Sequence, residues 1–177
     1  MCEVAGAAEE GHGAEMTLVC YPDPMLRRRA EEITEFNDEL KRLAASMAEV
    51  MHKSRGVGLA APQVGSSIRL VVVNLGEDRG DLAVVNPVVK CAGDGVVGEE
   101  GCLSVPGVLG KVVRSETVLV VGVGLDEKEV ELEAEGLMAR VFQHETDHLD
   151  GTLFIDKLTP ASRIAAEPLL RQMREES

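Results

Sequence analysis

Between Gln143 and Leu149 the chain reads His-Glu-Thr-Asp-His, and this run constrains the fold more than any other feature. Histidines four apart share a face only in a helix, so residues 144–148 must be helical if His144 and His148 are to meet one metal ion. Glu145 then projects beside them toward a bound water, which outlines a hydrolytic metal site. The plain reading of the same residues is two exposed histidines on a charged helix. The flanks support a helix under either reading. Leu137, Val141, His144 and His148 share a face, Gly136 precedes them, and Gly151 can take a left-handed cap.

Elsewhere the spacing alternates between strand and helix. Leu18 to Cys20 reads as a short strand, and Pro22-Asp23-Pro24 as a turn opening a short basic helix over Leu26 to Ala30. Leu40, Leu43, Met47, Val50 and Met51 recur at helical spacing from about Asn37, a suitable N-cap, to Lys53. Strand patterns follow at Ile68 to Leu75, Leu82 to Val89, Lys111 to Val123 and Glu129 to Glu135, the last alternating Val130, Leu132 and Ala134 with glutamates. Thr159-Pro160 starts a final helix with Ile164, Leu169, Leu170 and Met173 as its packed stripe. The pattern predicts an α+β fold. Antiparallel strands surround a central H-E-x-x-H helix, with a long helix in the N-terminal half and another at the C-terminus.

At 177 residues the chain suits one domain. Residues 1–15, rich in Gly, Ala and Glu, read as a disordered extension, leaving residues 16–177 as a single catalytic domain. With 2% aromatic residues there is no stacking platform for bases, and a net charge of −13 repels phosphate backbones, so general nucleic-acid binding is excluded. No apolar run approaches the roughly twenty residues of a membrane span, and no basic start precedes an apolar core, which makes the expected location cytoplasmic. Cys2, Cys20, Cys91 and Cys102 form no C-x-x-C pair and read as free thiols, with Cys20 and Cys91 acting as small buried hydrophobes. His12 and His52 have no spaced partner and receive no metal role.

Two further segments bear on the proposed site. Gly56-Val57-Gly58-Leu59-Ala60-Ala61-Pro62-Gln63 fits neither a dinucleotide fingerprint nor a phosphate loop. Its small residues permit close backbone approach to a ligand, and the Gln63 amide can donate to a developing oxyanion; a tight structural turn with Gln63 in solvent is the alternative. Glu100-Gly101-Cys102-Leu103-Ser104 supplies what the helix lacks. A catalytic site of this kind takes three protein ligands, and Cys102 is the natural third, although a cysteine can equally be a small buried hydrophobe.

With GVGLAAPQ at 56–63, EGCLS at 100–104 and QHETDHLDG at 143–151 in that order, the chain resembles the peptide deformylases from Leu18 to about Leu158. The resemblance implies that Cys102, His144 and His148 hold one divalent metal per chain. Fe(II) is the expected ion, and Zn, Ni or Co are accepted in its place. It implies that Glu145 is the general acid and base, and that Gln63 and the Leu103 N–H are the oxyanion donors. The expected substrates are N-formylmethionyl peptides of nascent chains, hydrolysed to formate and a free amino terminus, with a transient ribosome contact and no membrane partner.

Val57, Gly58, Leu137 and Val141 are the candidate walls of a methionine pocket, with core packing the alternative. Leu109 stands where many relatives carry a larger polar or aromatic residue that touches substrate, so side-chain preference is expected to depart from theirs. The resemblance also pairs Glu100 with Arg114 as a brace for the cysteine loop, and Asp147 or Gln143 can hold a ligand imidazole by its other nitrogen. Two other classes fit parts of the pattern. A zinc endopeptidase shares H-E-x-x-H but usually recruits a downstream Glu or His, and no His follows His148. A non-catalytic formyl-peptide binder would have little need of Glu145 and Gln63.

Overall fold

The computed structural model describes residues 16–177, so the extension expected over 1–15 lies outside the described residues. The chain forms an α+β fold with one five-stranded antiparallel sheet, in the order β1-β2-β3-β4-β5, and three α-helices. Helix α1 spans Asp38–Lys53 and starts as its sequence predicts, with the Asn37 side chain accepting from the Leu40 N–H at 2.9 Å. Strand β1 is Gly58–Ala60, so part of the expected loop is an edge strand paired with β2, Leu70–Asn74. A 3-10 turn over Ala61–Val64 ends that loop.

The longest pairing joins β3, Asp81–Cys102, to β4, Val105–Val123, and β5, Glu129–Glu135, completes the sheet. Sequence patterning sees only Leu82 to Val89 of β3, because Ala92 to Glu99 lies in the exposed part of the hairpin and carries no apolar alternation. Register shifts after Val85, Ala92 and Gly101 re-aim the strand. At the first, Asn86 takes φ +51° and its amide exchanges two hydrogen bonds with the Ile33 backbone, at 2.9 and 2.8 Å.

Helix α2, Gly136–Leu149, packs against all five strands and carries His144, Glu145 and His148. Its Ala139 and Phe142 are fully buried with Val71, Val73, Val84 and Val120, an aliphatic core as the composition requires. A second cluster joins α1 through Met47 and Met51 to Leu59, Leu70 and Val72. A third joins Leu26, Leu153 and Phe154 to helix α3, Pro160–Glu175. Each such fully buried side chain contributes about 1.5–3 kcal/mol.

Five expectations are corrected. Residues 18–20 are extended but form no strand, because their bonds go to separate elements: Val19 N–H to the Gln63 carbonyl and Tyr21 N–H to that of Ser104, each 2.8 Å. The basic helix is instead a short 3-10 turn, Pro24–Arg27. On α3 the packed stripe is Ala166, Leu169, Leu170 and Met173, at i, i+3, i+4 and i+7, while Ile164 lies off that spacing and is 76% exposed. Cys91 is exposed rather than buried, and Cys20 is not a free thiol. Near the N-terminal end of the described chain, the Tyr21 hydroxyl accepts from Arg174 Nη1 on α3 at 2.9 Å.

Candidate active site

A cavity of about 460 Å³ opens between the β1 loop, the β3–β4 turn and α2. The turn presents Cys102, aligned with Val105 across the hairpin; α2 presents His144 and His148; and the Ala61–Val64 turn presents Gln63. The ligand atoms of Cys102, His144 and His148 lie within 4.8 Å of one another, the one such group among the described residues. Cys102 Sγ is 3.2 Å from His148 Nε2. A thiol and two imidazoles at this separation are the donor set of a four-coordinate site that keeps one position open.

Of the three donors, His144 is held from behind, whereas the buried His148 Nδ1 makes no hydrogen bond to the protein. His144 Nδ1 lies 3.0 Å from Glu100 Oε2, leaving Nε2 to face the cluster, and its ring stacks on Phe154 with centroids 5.9 Å apart. Glu100 Oε1 accepts from Arg114 Nε at 2.9 Å and Arg140 Nη1 at 2.7 Å, and Oε2 accepts from Arg114 Nη2 at 3.0 Å. The Glu100–Arg114 brace is therefore present, but the imidazole is held by Glu100 and not by Asp147 or Gln143. Asp147 pairs with Arg114 and Lys157, and Gln143 exchanges hydrogen bonds with the Ser115 backbone. Arg140 escaped the sequence reading, although it sits four residues before His144 on the same helix. Its guanidinium covers Gly98, where a Cβ would come within 2.6 Å of it.

The electrostatics follow from burial. Burial opposes charge on Glu100, yet hydrogen bonds with His144 and Arg114 hold its carboxyl well below the usual range. Burial also opposes the His144 imidazolium, but the Cys102 sulfur and Glu100 beside it raise its pKa. His148 is pushed down by burial and by the charge of His144, toward the neutral form that binds metals. Burial raises Glu145 to about 7.

Glu145 lies against Gly58, where a Cβ would sit 2.7 Å from its Oε1, and its buried Oε2 makes no hydrogen bond to the protein. Gln63 is 1% exposed, not in solvent. Its Oε1 accepts from the Ala60 N–H at 2.8 Å, which aims Nε2 toward Ser104 Oγ at 3.3 Å and Cys102 Sγ at 3.5 Å. Leu103, Val57, Gly58, Leu109, Leu137 and Val141 all line the cavity. Val141 is buried, whereas Leu109 and Leu137 stand at the rim, 63% and 62% exposed.

A family model described as polypeptide deformylase matches residues 15–163. A peptide deformylase of Halothermothrix orenii is 50% identical over 137 residues, covering 77% of this chain and 88% of that one. One of Thermodesulfovibrio yellowstonii is 44% identical over 146 residues, covering 81% and 88%. Among solved structures, a peptide deformylase from Plasmodium falciparum superposes with a TM-score of 0.86 at 39% identity, over 90% of this chain and 96% of that one. The Thermotoga maritima peptide deformylase gives 0.79 at 42% identity, over 84% and 100%.

Proposed function

The chain belongs to the polypeptide deformylase family, and from that premise we infer that its cavity removes the formyl group from N-formylmethionyl peptides, releasing formate. The observation that carries the site assignment is the convergence of Cys102, His144 and His148 on one point, beside the buried carboxylate of Glu145. The three ligands would hold one divalent ion, Fe(II) by preference, with Zn, Ni or Co fitting the same donors. When bound, that ion supplies Lewis acidity, polarising the formyl oxygen and acidifying a water.

Glu145 is the proton carrier. Burial gives its carboxyl an affinity for protons near neutrality, well above that of an ordinary carboxylate, so it takes a proton from the attacking water more readily. It then returns that proton to the departing amine. Gln63 Nε2, fixed by the bond between Oε1 and Ala60, donates to the oxygen on which charge develops, together with the Leu103 N–H. Gly58 lets the β1 backbone lie against Glu145, and Val141, Val57 and Leu137 wall the space for an unbranched side chain.

The H-E-x-x-H helix is the metal-bearing centre of this reading, and residues 16–177 act as one catalytic domain, supported by the contact of α2 with every strand. Such substrates arise on ribosomes, so we place the enzyme in transient contact with them in the cytoplasm. No helix among the described residues is long and apolar enough to cross a membrane. The test is formate release from a formyl-Met tripeptide by anaerobically purified protein, with metal measured on the same sample. Release at about one metal per chain supports the assignment. A filled site without formate, or cleavage of unformylated internal bonds, overturns it.

A further inference from the structure

Helices α1 and α2 end in the same backbone device. After α2, Gly151 takes φ +70°, its N–H bonds to the His148 carbonyl at 3.2 Å, and the Thr152 N–H bonds to that of Asp147 at 2.9 Å. After α1 the same two bonds recur, from Arg55 to His52 at 3.0 Å and from Gly56 to Met51 at 2.8 Å, but the left-handed residue is Arg55, at φ +56°. Glycine adopts that conformation without strain, whereas a Cβ there crowds the backbone. Strained non-glycine residues of this kind cluster at ligand sites, where the side chain has a use.

Arg55 is exposed, makes no side-chain hydrogen bond or ion pair among the described residues, and lines the mouth of the cavity. It precedes Gly58 by three residues, so its Cα lies within roughly 10 Å of the backbone that touches Glu145. A peptide leaving the reacting amide covers the same span in two to three residues. The other exposed charge on this rim, Glu99, stands opposite Lys111 in the β3–β4 register, a neighbour of opposite sign without a direct ion pair. Arg55 is thus an unpaired cation at the exit of the cavity, in a chain of net charge −13.

Resting on the deformylase reading above, we propose that Arg55 is a specificity-determining residue that favours formyl-Met peptides with an acidic side chain at the second or third position. An exposed ion pair is weak, so the preference for Glu over Lys is about three- to fivefold in kcat/KM and fades with salt. The contact is the same before and during reaction, so the effect falls on KM.

Formate release would be measured for formyl-Met peptides with Glu, Gln or Lys at the second or third residue, at about 0.02 and 0.5 M salt. The metal-loaded wild-type enzyme would be compared with Arg55→Gly, Arg55→Lys and Arg55→Glu. The expected result is a Glu preference at low salt that Arg55→Lys keeps, Arg55→Gly loses and Arg55→Glu reverses. A wild-type ratio near one, or a preference that survives Arg55→Glu, overturns the inference. Formate from none of the peptides, the neutral one included, overturns the deformylase reading and this inference with it, so the two failures are told apart.

Discussion

At the floor of the cavity, His144 is held by Glu100 on one edge and by Phe154 on its face, and Glu100 is itself held by Arg114 and Arg140. At the rim, Leu109 and Leu137 are more than half exposed and Arg55 pairs with nothing among the described residues. A group with several simultaneous partners keeps one position, which reaction geometry demands. A group with none can adapt to each peptide. The floor is therefore where substitutions should change chemistry and metal, and the rim where they should only re-rank substrates.

The sharpest way to break that division is Glu145→Ala. It removes the proposed proton carrier and relieves a buried carboxyl, so turnover should fall by about 10²–10⁴ while metal content and fold persist; activity assay plus metal analysis checks both halves. Gly58→Ala should come next. Its methyl would meet Glu145 Oε1 and Val141 Cγ1 at 2.7 and 2.8 Å, so displacement of the base should cost about 10² in kcat, read by steady-state kinetics.

Glu100→Gln probes the floor from behind. With Arg114 left short of its buried partner and His144 less firmly oriented, metal affinity should drop about 10–100-fold, measured by competition with a chelator. At the rim, Leu137→Ala should leave kcat intact and raise KM by no more than a few fold, because most of that side chain is already in water. A large kcat effect would erase the distinction between the regions. Smallest of all, Arg55→Gly should raise the melting midpoint by about 2–4 °C as the left-handed strain is released, visible by calorimetry.

The two regions also differed in how far they could be read from sequence. Helix α1 with its Asn37 cap, strand β5 and the α2 residues His144 and His148 follow from local rules, because period and capping are short-range properties. Cys102 followed from counting ligands. What was missed is long-range. Glu100 reaches His144 across 44 positions, Phe154 stacks on it from another element, and residues 18–21 spend their backbone bonds on Gln63 and Ser104. No periodicity encodes such contacts. The Arg140 contact with Glu100 had one local signal, its i−4 spacing to His144, and the seat at Gly98 completed it only once the hairpin was folded.

The bond between Tyr21 and Arg174 has a practical consequence. The chain has one tyrosine and no tryptophan, so its ultraviolet emission comes from a single phenol wedged between the first described residues and the last helix. Fluorescence would therefore report the peeling of α3 from Tyr21, while formate production would report the working centre. A denaturation followed by both signals would separate loss of the terminal helix from loss of the working centre in one sample, with no label attached.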